Sequence, residues 1–175
     1  MIIVKSCSVP STFRLSILRF IADGMLGKLT RWLRLLGQDV DYHRSTIDKK
    51  LIELANSENR ILLTRDLDLY HQALSHGVEA VLVEGTDETE RLADLAYRFG
   101  FHLEVDLSIS RCPKCNAILN AVLKDAVIAE IPELTAAYYN DFWKCVDCGQ
   151  VYWRGAHWKQ ITKTLEYANS RLSDR

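Results

Sequence analysis

Four of the five cysteines in this chain fall in two C-x-x-C pairs, Cys112-Pro113-Lys114-Cys115 and Cys145-Val146-Asp147-Cys148, with 29 residues between the pairs. No other feature restricts the fold so strongly. Two sulfurs held two residues apart in a tight turn reach a single ion, and a second such turn completes a tetrahedron. In a chain without secretory features, this pattern reads as one structural zinc site in preference to a disulfide framework, two redox pairs or buried free thiols. The gap is somewhat longer than the commonest ribbon spacing. Residues 116–144 are therefore expected to hold a small hairpin or helix of their own. Cys7 stands alone and reads as a free thiol.

Upstream of the cysteines, short apolar runs alternate with amphipathic segments. Arg19 to Ala22 reads as a strand that ends in a turn at Asp23-Gly24. From Leu26 to Leu36 the apolar residues recur with helical spacing. Leu26, Leu29, Trp32, Leu33 and Leu36 share one arc, while Lys28, Arg31 and Arg34 share the other. Gly37 ends that helix. Asp39–His43 reads as a second strand and Asp48–Asn59 as a second helix. Ile61–Thr64 and Ala80–Val83 are further buried strands, each with a helix behind it, over Asp68–His76 and Asp87–Phe99. Solid-apolar strands alternating with helices predict an α/β fold with a parallel sheet covered on both faces. The predicted organisation is an N-terminal extension over 1–18, an α/β domain over 19–110, a zinc ribbon over 111–160 and a tail helix over 161–175.

Charge narrows the function classes. Residues 1–110 carry 13 basic and 16 acidic side chains, and residues 111–175 carry nine and seven. So near-neutral a balance excludes a protein that coats nucleic acid by bulk charge, and any such contact must come from local patches. No apolar run approaches the roughly 20 residues needed to span a bilayer. The first segment breaks its apolar residues with Lys5, Arg14 and Arg19, unlike a secretory signal. The expected location is the cytoplasm, without a membrane partner.

In an open α/β sheet, ligands bind beyond the carboxyl ends of the strands. Asp23 follows the first strand and Asp66 the third. Asp68 and Asp48 open the helices after the third and second strands. All four are expected on one rim, where carboxylates repel one another unless cations lie among them. Hard oxygen donors suit Mg²⁺ or Mn²⁺, which activate water and stabilise a phosphodiester oxyanion. Each acid also has an ordinary role: Asp48 and Asp68 as helix caps, Asp23 and Asp66 as turn residues. Their convergence favours the catalytic reading. Glu53, one turn into the second helix, is a weaker candidate, and Arg65 is expected to pair with the acids or to touch a phosphate. The stripe of Lys28, Arg31 and Arg34 reads alone as a solvated face, and beside a metal site as a phosphate track. His43, His71, His76 and His102 show no ligand spacing.

The run Phe20-Ile21-Ala22-Asp23-Gly24-Met25-Leu26-Gly27-Lys28-Leu29 continues through Arg31-Trp32-Leu33-Arg34-Leu35-Leu36-Gly37. Together with Ile61-Leu62-Leu63-Thr64-Arg65-Asp66, the Cys-Pro-x-Cys-Asn knuckle and Val151-Tyr152-Trp153-Arg154-Gly155-Ala156-His157-Trp158, it resembles the Mut-seven C-terminal RNase domain family. The resemblance spans Phe20 to Trp158. It implies a PIN-like nuclease fold with a zinc ribbon, and a metal-dependent ribonuclease whose acidic set matches Asp23, Asp48, Asp66 and Asp68. Family members often carry Ser where this chain has Ala156.

The last motif has a reading of its own. Trp153, Arg154 and His157 interleave rings with charge and are candidates to stack on unpaired bases of RNA. Packing of the rings between the ribbon and the nuclease core is the competing role for Trp153 and Trp158. The sequence therefore predicts a metal-dependent ribonuclease with structural zinc and catalytic Mg²⁺ or Mn²⁺. Its rivals are a non-catalytic RNA-binding adaptor on the same fold and a phosphatase. The acylphosphate-forming phosphatase pattern needs an acid two residues after Asp23, where this chain has Met25.

Overall fold

A computed structural model describes residues 18–173, so the reading of Cys7 lies outside the described residues. Strands β1 (Arg19–Ala22), β2 (Asp39–Tyr42), β3 (Ile61–Thr64) and β4 (Ala80–Leu82) form one sheet in the order β2-β1-β3-β4. Every pairing is parallel, with Phe20 opposite both Val40 and Ile61. Helices α1 (Gly27–Leu35), α2 (Asp48–Glu58), α3 (Leu67–Ser75) and α4 (Glu88–Phe99) make the crossovers. This is the mixed α/β architecture expected from the alternation. The chain leaves β1 for β2 on one side, then places β3 on the other. The switch point of the sheet thus lies between β1 and β3, where a crevice opens at the carboxyl ends.

Successive strand residues point to opposite faces and enter separate cores. Phe20, Ala22 and Leu63 pack with Leu29 and Leu33 of α1 and with Leu92 and Leu95 of α4. Ile21 and Leu62 pack with Leu51 and Ala55 of α2 and with Leu69 and Ala73 of α3. Fully burying a side chain of this size stabilises the fold by about 1.5–3 kcal/mol. Polar caps set the starts of α3 and α4. Asp87 accepts from the Glu90 amide to open α4, and Gly100, at φ 71°, closes it in the left-handed region that glycine enters without strain. The helix expected from Leu26 begins instead with a 3-10 turn over Gly24–Leu26, because Asp23 caps that turn through the Met25 amide.

The cysteine-bearing region has a sheet of its own. Strands β5 (Leu119–Val122), β6 (Phe142–Cys145) and β7 (Val151–Trp153) are antiparallel in the order β5-β6-β7. The residues between the cysteine pairs hold β5, two 3-10 turns and the short helix α5 (Glu133–Tyr138). They close over a small cluster of Val127, Ile131, Phe142 and Val151. Helix α6 (Trp158–Ser173) starts three residues before the expected tail helix. Leu165 and Ala168 of α6 are buried in the larger core beside α4. No helix among the described residues is long and apolar enough to cross a membrane.

Candidate metal centres and the acidic rim

Both cysteine pairs sit on the same local turn. The residue after the second cysteine is left-handed in each, Asn116 at φ 74° and Gly149 at φ 70°. Asn and Gly are the residues that tolerate this backbone. The Asn116 amide donates back to the Cys112 carbonyl, and the Gly149 amide to that of Cys145. The four sulfurs of Cys112, Cys115, Cys145 and Cys148 lie within 4.8 Å of one another. Cys112 is 3.7 Å from Cys148, and Cys115 is 3.3 Å from Cys145. A tetrahedron with Zn–S bonds of about 2.3 Å has edges of about 3.8 Å, so the donor set fits zinc in both chemistry and spacing. Burial works to raise the Cys112 thiol, but the Tyr152 hydroxyl and the amides of Cys115 and Lys114 outweigh it and bring it down to about 7. Burial pushes Cys115 up to about 12 and also raises Cys145 and the Tyr152 phenol.

The module is docked on the α/β core through polar ties. The Arg34 guanidinium donates to the Val40 carbonyl at 2.8 and 2.9 Å and to the Pro113 carbonyl at 3.1 Å. Asn116 accepts from the Val40 amide and donates to Asp39 at 2.8 Å. Asp39 also pairs with Arg60 at 2.9 Å. Burial alone would raise the Asp39 carboxyl. Hydrogen bonds from Arg60 and Asn116, with the charges of Arg60 and Arg111, outweigh it and hold Asp39 below the usual carboxylate range. These ties correct one expectation. The sequence puts Arg34 with Lys28 and Arg31 on a phosphate-facing stripe, yet in the structure it is 6% exposed and its donors go to backbone carbonyls. Burial also lowers its pKa. Lys28 and Arg31 remain exposed.

At the switch point, Asp23 is 5% exposed although it carries a carboxylate. Its Oδ1 accepts from the Met25 amide at 2.8 Å. Its Oδ2 accepts from the Thr64 hydroxyl and, at 3.3 Å, from the Arg65 amide. The Thr64 oxygen in turn accepts from the Asp66 amide at 2.9 Å. Asp66 caps α3, its Oδ1 accepting from the amides of Asp68 and Leu69 at 2.8 and 3.1 Å. One buried hydroxyl therefore links the acid after β1 to the acid after β3. Sequence reasoning did not single out Thr64. Its signal was a polar residue closing the apolar run Ile61-Leu62-Leu63, two residues before an acid.

The four acids do not form a closed cage. Among the described residues, the four cysteines are the only group of three or more His, Cys, Asp or Glu side chains whose ligand atoms lie within 4.8 Å of one another. Asp48 and Asp68 are exposed in the first turns of α2 and α3, and neither is the capping residue. Ile47 stands at the cap of α2 without a side-chain hydrogen bond. Glu53 is 3.6 Å from Lys50. Arg65 is exposed beside Asp66. The donors nevertheless suit a hard cation: Asp66 Oδ1 serves the cap and leaves Oδ2 available, and Asp23 Oδ1, with one hydrogen bond, keeps a second lone pair.

The aromatic motif packs inward more than it projects. Trp153 lies 6.4 Å from the Phe142 ring. The Arg154 guanidinium, on an exposed residue, sits over Trp143 at 5.7 Å and over Trp158 at 5.1 Å, a cation–π arrangement. His157 is exposed.

Comparison with curated proteins returns no match, and neither does comparison with solved structures. The family model described as "Mut7-C RNAse domain" matches residues 18–165. That span takes in the parallel sheet, the Asp23–Thr64–Asp66 link and both cysteine pairs, so the chain belongs to the Mut7-C RNAse domain family.

Proposed function

We propose that the chain is a divalent-metal-dependent ribonuclease that hydrolyses RNA phosphodiester bonds. In this reading Asp23, Asp66 and Asp68 hold Mg²⁺ or Mn²⁺ and Asp48 borders the pocket. The observation that carries it is the buried Asp23 carboxylate at the switch point, joined to Asp66 through the Thr64 hydroxyl. A fold does not keep a carboxylate 5% exposed at the end of a strand without compensation, and here three donors converge on it. Mg²⁺ needs only one or two protein carboxylates, because waters and substrate phosphates complete its octahedron. The pair of acids therefore suffices. A bound ion of this kind supplies Lewis acidity and a water of lowered pKa.

The chain's own residues do the rest. The Met25 and Arg65 amides and the Thr64 hydroxyl fix the Asp23 carboxylate in one orientation. The cap of α3 fixes Asp66. Arg65, exposed between them in sequence, offers a cation to a phosphate oxygen. Outside this rim, the four-cysteine module is a structural zinc ribbon, with its closed thiolate set.

The spread of the acids favours one rival, an RNA-binding protein that does not cut. The test is to incubate zinc-loaded protein with end-labelled single-stranded and structured RNA in Mn²⁺, in Mg²⁺ or in neither. Metal-dependent products support the ribonuclease. Binding with intact RNA in every arm supports the rival.

A further inference from the structure

Between α1 and the first cysteine knuckle lies an open cleft of about 820 Å³. Besides the buried Arg34, its cations come from distant parts of the chain: Lys28 and Arg31 from α1, Arg44 from the loop after β2, and Lys114 from inside the knuckle. All four are exposed. No acidic side chain lines the cleft, and none of the four is in an ion pair among the described residues. Four like charges around one concavity repel one another, a cost relieved when an anion enters. The half-buried rings of Tyr42 and Tyr152 share the wall. Their hydroxyls are held at 3.0 Å from the Gly24 carbonyl and 3.1 Å from the Cys112 sulfur, so the rings are fixed in place.

We propose that this cleft binds the backbone of single-stranded RNA, and that the zinc ribbon serves as one wall of the RNA groove. The inference rests on the ribonuclease reading for its choice of ligand. Cations along a groove neutralise successive phosphates, and exposed ring faces stack on bases of any identity. Only an unpaired strand offers base faces to Tyr42 and Tyr152. Gly24, next to Asp23, is among the lining residues, so a strand in the cleft lies next to the chain that carries Asp23. Arg34 acts here as a positioning residue. Its bonds to the Pro113 and Lys114 carbonyls, at 3.1 and 3.3 Å, hold the knuckle and its lysine against α1. Sequence reasoning found Lys28 and Arg31 but not Arg44 or Lys114, which join them only through docking.

The test measures binding of a labelled oligouridine to the zinc-loaded full chain across a salt series, without Mg²⁺ or Mn²⁺. For single strands the log–log salt slope changes by about 0.7 per phosphate contact. Replacing Lys28, Arg31, Arg44 and Lys114 together with Gln is expected to flatten it by roughly 2.8 and to weaken binding by well over tenfold. Lys114→Gln alone, with zinc content confirmed unchanged, is expected to weaken binding several-fold. Lys124→Gln with Lys163→Gln, elsewhere on the surface, leaves binding unchanged. A duplex of equal length binds less tightly than the single strand. The proposal is overturned if the wild-type chain binds no RNA, if the quadruple variant keeps its affinity and slope, if the control pair loses as much, or if the duplex binds better. Cleavage in Mn²⁺ separates the two readings. Binding through the cleft with RNA left intact refutes the ribonuclease and keeps the cleft. Cleavage undiminished in the quadruple variant refutes the cleft alone.

Discussion

Replacing Thr64 with Val tests the link between the two acids. Thr64 is fully buried and its hydroxyl works twice, as donor to Asp23 Oδ2 and as acceptor from the Asp66 amide. Valine keeps the shape and removes both bonds. A hydrogen bond to a charged group contributes about 1.5–3 kcal/mol, and one between neutral groups about 0.5–1.5. Asp66 is exposed, so its amide regains water and the second loss falls at the low end. The expected cost is about 2–4 kcal/mol. Serine is the control: it keeps the hydroxyl and loses one buried methyl, about 1 kcal/mol. Urea denaturation of zinc-saturated protein reads both variants, with unchanged slopes required for comparison. Thr64→Val is expected to lose more stability than Thr64→Ser, and to lose metal-dependent cleavage while Ser retains it. If Val costs less than Ser, packing and not the hydroxyl holds this site, and the reasoning fails.

Three further outcomes are expected. Elemental analysis of protein purified without chelator finds one zinc per chain, and Cys112→Ser unfolds the ribbon, because structural zinc contributes on the order of 10 kcal/mol to folding in small peptides; absence of zinc refutes this. Asp66→Asn loses Mn²⁺-dependent cleavage but melts near the wild-type temperature, since Asn caps a helix about as well as Asp; full cleavage by the variant removes Asp66 from the site. The Asp39 carboxyl lies below its ordinary range when folded, so its contribution is present above the unfolded value of about 3.9 and is lost as pH falls through the folded one. Asp39→Asn is accordingly expected to flatten the acid limb of the stability curve below pH of about 4, and an unchanged limb in urea titrations contradicts the assignment.

Much of the fold was legible because its signals are local. A strand buried on both faces is an unbroken apolar run, as in Phe20-Ile21-Ala22 and Ile61-Leu62-Leu63. A helix shows its buried arc within one or two turns. The cysteine knuckles are legible for the same reason, since two residues of spacing define each turn and Asn116 and Gly149 supply its left-handed position. The acids at strand ends follow from alternation alone, once the sheet is parallel. Side-chain destinations are not local. The helical wheel puts Arg34 with Lys28 and Arg31, yet its acceptors include the Pro113 carbonyl, 79 residues away. Thr64 carries no signature at its own position that it meets Asp23, 41 residues earlier.

The sequence by itself determined the parallel α/β layer, the four zinc-type ligands and the places of Asp23 and Asp66 directly after two of the strands, because periodicity and spacing encode each within a few residues. Tertiary structure alone decided which acids are linked, which arginine is spent on docking, and that Arg44 and Lys114 face Lys28 and Arg31 across one cleft. The physical reason is that a carboxylate, a guanidinium or an ammonium goes where its partners are. Those partners are backbone carbonyls, hydroxyls and other charges that meet only when β1 lies beside β3 and the ribbon closes on α1.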